Sequence, residues 1–238
     1  MIPTIARLTF ATLFGHRRGL LLLILPGVLL GLAILLRLTV DDMSNVSADL
    51  LQRLGLAVIL PLVALIAGTG AIATEIDDGS IVYLLSKPIK RSTIVLTKAL
   101  VAIGCIFVLG ALPIVLAGLI LDPAGFKIAV AFGTGALLAG VTYTAIFIAL
   151  SVVTGNAVTI GLLYALLWES VMGQYVDGAK MLSVQQWALA VVSKVADGNG
   201  VESAVKLPIS LILLALVTII GLSLAVSRLR SLTLSSAE

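Results

Sequence analysis

Few residues in this 238-residue chain are of types that do chemistry, and the densest group of them lies between Thr74 and Lys98. Glu75, Asp77 and Asp78 come first, then Gly79 and Ser80. Ile81, Val82, Leu84 and Leu85 supply an apolar stripe, followed by Lys87, Pro88, Lys90 and Arg91. Thr74 with Asp77 fits a capping box, which predicts a short helix opening beside Glu75. Its acids would then sit at the positive end of the helix dipole and Lys87 near the negative end. Pro88 stops such a helix, because it has no N–H and biases the residue before it away from the α region. A short helix with an apolar face and charged ends is shaped for docking into a groove on a partner protein. The plainer alternative is an interfacial helix that caps a turn. Either way the chemistry is recognition rather than bond-making.

The remaining candidates are isolated. No GxxxxGK[ST] is present, so the chain carries no P-loop of its own. Gly68 to Ala73 matches G-x-G-x-x-A, but a dinucleotide site needs a strand before it and a βαβ unit around it. In an apolar run, small residues such as Gly68, Gly133, Gly135 and Gly140 permit close helix packing instead. There is no HExxH or GxSxG motif, and the one histidine, His16, stands beside Arg17 and Arg18 as a headgroup contact. Asn45-Val-Ser47 is a glycosylation sequon only in a secretory context. Cys105, alone in an apolar run, excludes an intrachain disulfide framework and a cysteine-based zinc site. Glu169 is the notable acid. An ionisable group at membrane depth is a functional candidate, whereas a span that simply ended there would leave the carboxylate among outer headgroups.

These residues are set in an apolar chain. Sixty per cent of it is hydrophobic and 11% charged, with a mean hydropathy of +1.21. A soluble domain is about a quarter charged, so the expected class is an all-α polytopic membrane protein forming one transmembrane domain over 1–238. A span needs about 20 apolar residues. Charge-free runs cover Gly19–Leu36, Leu54–Thr74, Ala99–Leu121, Ile128–Trp168 and Leu207–Ser227. The fourth would be about 60 Å long as one helix, twice the hydrocarbon thickness, so it must hold two spans. Its break is expected at 151–156, where Thr154, Gly155 and Asn156 are turn-formers. Six spans follow, with both termini on one side.

Basic residues orient them. Arg7, Arg17, Arg18, Lys87, Lys90, Arg91, Lys98, Arg228 and Arg230 fall on one side and six others on the opposite side. The positive-inside rule then places the termini and the span 2–3 connection in the cytoplasm. The same rule accounts for the net charge of +3 without a nucleic-acid partner. Residues 2–18 put Ile2, Ile5, Leu8, Phe10 and Leu13 roughly on one face, as in an interfacial helix. The longer apolar run behind them does not fit a cleavable signal peptide, so a retained N-terminus is expected. Residues 181–195 read as a second interfacial or re-entrant amphipathic helix on the outer side, between spans 5 and 6. There Gln185, Gln186 and Lys194 lie mostly off the apolar face, and Trp187 suits the headgroup level. Pro26, Pro61 and Pro113 fall inside spans and could bend them.

The run Glu75, Asp78-Gly79-Ser80, Leu84-Leu85-Ser86, Pro88-Ile89, Arg91 and Lys98 resembles a signature of type-2 ATP-binding-cassette exporter permeases. There the segment runs as an acid, Gly-Thr, Leu-Leu, a small residue, Pro, a hydrophobic residue, Arg and a later Lys. Ser80 stands where Thr is common. The six-span layout and the two flanking amphipathic helices extend the likeness over the chain. The resemblance implies that 75–91 is a coupling helix contacting a separate cytosolic ATPase, with Glu75, Asp78, Gly79, Leu84, Leu85, Pro88 and Arg91 as its contact residues. It further implies two permeases and two ATPases in the cell membrane, ATP and magnesium bound by the partner, no cofactor or catalysis in this chain, and cargo passing where the permeases meet.

An ion-coupled carrier is the competing reading. It needs buried ionisable groups for coupling, and the span centres are almost charge-free. An intramembrane enzyme lacks paired catalytic residues. A weakly charged interior favours an apolar or amphipathic cargo.

Overall fold

The computed structural model describes residues 3–13, 15–40, 46–79, 90–197 and 201–231. Among them there is no strand. Helix α1 spans Pro3–Leu13 and α2 His16–Thr39. Val46–Leu50, Leu51–Ile59 and Leu60–Asp77 run on as one helix, α3; Arg91–Ile106, Phe107–Ala111 and Leu112–Leu121 run on as α4. Helix α5 covers Phe126–Val153, and α6 joins Ala157–Leu163 to Tyr164–Met172. After two short helical turns, Gly173–Tyr175 and Asp177–Lys180, come α7 (Val184–Val195) and α8 (Leu207–Ser231).

Five of these, α2, α3, α4, α5 and α8, are long and apolar enough to cross a membrane. Helix α6 is an apolar helix of 16 residues over Ala157–Met172, about four short of the usual span. The break between α5 and α6 falls at Thr154–Asn156, inside the stretch expected from turn chemistry. Helices α3 and α4 exceed their charge-free runs, because Asp49, Arg53, Glu75, Arg91 and Lys98 are all helical. An absence of charge finds the hydrocarbon-length core of a helix and not its ends.

Helices α3 and α5 form the centre. Within the most apolar window of each, 83% of α3 is buried but only 22% of α8 and 28% of α2. The outer faces of α2 and α8 present Leu20, Leu23, Ile24, Ile212, Ile219 and Ile220 outward. A surface so apolar suits lipid or a partner helix, not water.

Small residues set the approach of the central helices. A Cβ on Gly68 of α3 would lie 2.9 Å from the Cβ of Phe147 on α5, and one on Gly221 of α8 would lie 2.9 Å from the Ala145 carbonyl of α5. The G-x-G-x-x-A stretch is thus a packing surface within a helix.

Two of the three prolines coincide with a widened backbone. In Leu51–Ile59 and Phe107–Ala111 the helix is π-helical; the Leu60 N–H reaches Gly55 O and the Leu112 N–H reaches Phe107 O, five residues back. Pro61 and Pro113 follow directly. A proline cannot donate to the carbonyl four residues behind it and its ring presses on that carbonyl; a π turn relieves the crowding. Pro26 sits inside α2, which continues past it.

The N-terminal helix forms where expected. It packs on α3 and α4, burying Thr9 and Leu13, while Arg7, Leu8 and Phe10 are exposed. Its apolar residues are therefore divided between the bundle and the outside.

Gly68→Ala should lower the melting temperature of the purified chain in detergent, with a cost of about 1–3 kcal/mol for overpacking. Gly104→Ala meets nothing within 4 Å and should leave it equal or slightly higher.

Candidate functional site

Two groups of polar residues stand out, one at each end of the bundle. The first is at the end where α3 stops and α4 starts. Helix α3 runs through Glu75 to Asp77, so the expected capping box at Thr74 does not form. Thr74 Oγ1 instead donates to Gly70 O (3.2 Å), one turn back within α3. No breaker precedes Gly79, whose φ of +69° is what stops the helix. The Asp78 N–H donates to Thr74 O (3.0 Å) and the Gly79 N–H to Ile76 O (3.1 Å). Glu75 and Asp78 therefore lie at the negative end of α3, not the positive end of a new helix.

That placement is unfavourable for a carboxylate unless a cation is near. Lys98, two turns into α4, supplies it: Nζ donates to Glu75 Oε1 (2.6 Å) and to Ala71 O (2.5 Å). Lys98 is wholly buried. Read as a cytoplasmic cation and as the last residue of the signature run, Lys98 has no partner assigned from sequence. The available signal was an acid and a lysine at the facing ends of two consecutive helices. Arg91 opens α4; its Nη1 is buried and meets no acceptor among the described residues. Asp78, Gly79 and Lys90 are exposed. The structure thus gathers Glu75, Asp78, Gly79 and Arg91 at one end. Leu84, Leu85 and Pro88, with the helix expected around them, lie outside the described residues.

The second group surrounds Glu169, which is fully buried rather than among headgroups. Helix α6 does not stop there: Tyr164–Met172 is π-helical and Glu169 points to the start of α7. Its Oε1 accepts from Tyr164 Oη (2.7 Å) and the Val184 N–H (3.1 Å); its Oε2 accepts from Ser183 Oγ (2.6 Å) and the Gln185 N–H (3.2 Å). Ser183 in turn caps α7 by accepting from the Gln186 N–H. A carboxylate against the first N–H groups of a helix meets donors that have no partner inside the helix, along with the positive end of its dipole. The Tyr143 hydroxyl faces the same carboxylate without a regular hydrogen bond.

Helix α7 lies where the second amphipathic helix was expected, but protein surrounds it. Val184 to Val192 are buried throughout, Gln185 and Gln186 included. Gln185 Nε2 donates to Gln52 O of α3 (3.1 Å) and Gln186 Nε2 to Gly173 O (3.2 Å). Trp187 Nε1 donates to Met181 O (2.8 Å). The glutamines that look like a wetted face serve as donors to backbone carbonyls. Ser170 Oγ likewise donates to Ala57 O (2.9 Å), the carbonyl four residues before Pro61. Beyond the far end of α7, Asp197 pairs with Lys127 at the start of α5.

Three of the four donors to Glu169 belong to the start of α7 and seat that helix; the fourth, Tyr164, is on α6 itself. Among the described residues no three His, Cys, Asp or Glu side chains are placed to hold a metal. A family model described as ABC-2 family transporter protein matches residues 5–224. No curated protein matches the chain.

Glu169→Gln would set an amide N–H₂ against the donors of Tyr164, Ser183 and α7. Each lost bond to a charged acceptor is worth about 1.5–3 kcal/mol. Hydrogen exchange at 184–187 should accelerate strongly while exchange in the middle of α5 stays slow. The Lys127 ammonium, by hydrogen bond and then by charge, holds the Asp197 carboxyl below its usual range. A depressed pKa stabilises above the ordinary carboxylate pKa and is lost as pH falls through the lowered value. Asp197→Asn should therefore melt slightly below the parent at pH 7, and the gap should close at strongly acid pH.

Proposed function

The chain belongs to the ABC-2 family of transporter proteins, and we propose that as its permease subunit it converts ATP hydrolysis by a separate ATPase into export of cargo. That it is a multi-pass membrane permease of an ABC transporter follows from the family and from its five long apolar helices. The remaining details are our reading. Two ATPases carry ATP and magnesium, and this chain provides no catalytic residue and no cofactor site. Two permease subunits, identical or not, meet in the cell membrane. Helix α6 completes a sixth crossing, with both termini and the α3–α4 connection in the cytoplasm, and 1–238 acts as one domain.

The observation that carries this reading is the collection of Glu75, Asp78, Gly79 and Arg91 at one end of the bundle, around a connection of about a dozen residues that includes Leu84, Leu85 and Pro88. Arg91 adds to it. A buried donor without an acceptor costs about 1–3 kcal/mol, more for a charged group; an acceptor arriving with a docked partner removes that cost. ATP would draw the two ATPases together, the connections would follow, and α3 and α4 would carry the movement inward. An ion-coupled carrier gains little support. The fully buried acid, Glu169, is held by four donors, three of them at the start of α7, and the buried lysine, Lys98, is tied to Glu75 at a helix end.

Co-expression with an ABC ATPase from the same genome should yield a complex that hydrolyses ATP faster than the ATPase alone. Arg91→Glu should abolish that stimulation while the chain stays folded. Failure of any ATPase to co-purify, or full stimulation by Arg91→Glu, would sink the proposal.

A further inference from the structure

We propose that Lys98 is a positioning residue for energy coupling. By binding Glu75 and Ala71 O it locks the end of α3 to the start of α4, so that the two helices move as one rigid lever when the connection between them is pulled. This rests on the reading of the chain as an ATP-driven permease and adds a residue and a mechanical role to it.

The connection joins the last described residue of α3's end, Gly79, to Lys90. Force applied to a loop divides between the two helices it joins. If they are independent, each turns or slides separately and part of the movement is lost as a change in the gap between them. A cross-tie close to the point of loading prevents this. Lys98 supplies one from a position 23 residues beyond Glu75, and it holds two points on α3: the Ala71 carbonyl and the Glu75 carboxylate, one turn apart.

The tie is also protected. The Lys98 side chain is wholly buried and that of Glu75 only 17% exposed, so salt and water compete with it little. Burying a lysine in an apolar bundle is costly, and an apolar residue of like size would often serve stability as well or better. The helices already pack through Ile72, Val95, Ala99 and Ala102. Thus the pair is poorly explained as glue and well explained as a joint that fixes geometry. It stands where α1 also packs on both α3 and α4, so three helices share the stiffened end.

The test uses the complex with its ATPase in nanodiscs, in a Cys105→Ser background. Spin labels at half-buried Ile76→Cys and exposed Leu96→Cys report the α3–α4 spacing by pulsed electron resonance. The parent should show one narrow distance both without nucleotide and with ATP and vanadate. With Lys98→Met the distance should broaden or differ between the two states, and stimulation of ATP hydrolysis should fall at least about fivefold, a typical magnitude of coupling between sites. Lys98→Arg, which keeps the charge and a donor, should retain most of both. The double variant Lys98→Met with Glu75→Gln should be no worse than Lys98→Met alone, because the two act through one bond. If Lys98→Met does not assemble, Glu75→Gln serves in its place. One narrow, nucleotide-independent distance with full stimulation in these variants overturns the tie. A parent complex whose ATPase is not stimulated overturns the underlying functional reading instead, so the two failures are distinguishable.

Discussion

Inside a bilayer no water is at hand to satisfy a stray carbonyl or solvate a charge, and each polar group left alone there costs several kcal/mol. Most of the unusual features of this molecule follow from that constraint. Prolines and π turns disturb the hydrogen-bond ladders of α3 and α6. Ser170 and Gln185 answer by donating to Ala57 O and Gln52 O. The widened stretches Leu51–Ile59 and Tyr164–Met172 pack against each other, so one helix's defect is met by side chains from the next. The charges obey the same constraint. Glu169 has four donors, and Lys98 has a carboxylate and a carbonyl.

The two ends of the bundle use this chemistry differently. At the Glu169 end a carboxylate fastens the start of α7, glutamines tie α7 to α3 and to the Gly173 turn, and Asp197 is held to Lys127 just beyond it. The outcome is a closed, many-stranded seat. Among the described residues, the Lys98 end has a buried pair, an exposed left-handed glycine and an arginine donor without an acceptor. That end is finished within itself at the tie and open beside it, which suits a place where a second protein attaches. Between the ends, α3 and α5 meet at Gly68 and Phe147 with no room for a Cβ, so movement of α3 is felt directly by α5.

Much of the fold was legible because the signal was coarse and physical. Charge-free runs located the helices, and Thr154, Gly155 and Asn156 marked the break between α5 and α6. What escaped was whatever depends on the third dimension. The Thr74–Asp77 pattern is a good N-cap locally, but a helix already under way does not read it as a start; Gly79, five residues past the expected span end, was the true stop. Gln185 and Gln186 look wetted on a helical wheel, because a wheel cannot show that neighbouring carbonyls need donors. Glu169 reads as the end of a span until Ser183 and the start of α7 are seen folded onto it. The π turns had one available clue, Pro61 and Pro113 inside apolar runs, and the partner of the first, Ser170, is over a hundred residues away. Of the expected coupling residues, Glu75 could be placed in the motif from sequence, whereas its pairing with Lys98 needed the packing of α3 on α4.

The central claim is that the motor grips the α3–α4 end. A photo-cross-linking amino acid placed at Asp78, and separately at exposed Leu182 before α7, measures this directly in membranes containing the ATPase. The account predicts a cross-linked permease–ATPase species from Asp78 and none from Leu182. Cross-linking from Leu182 with none from Asp78 would contradict it.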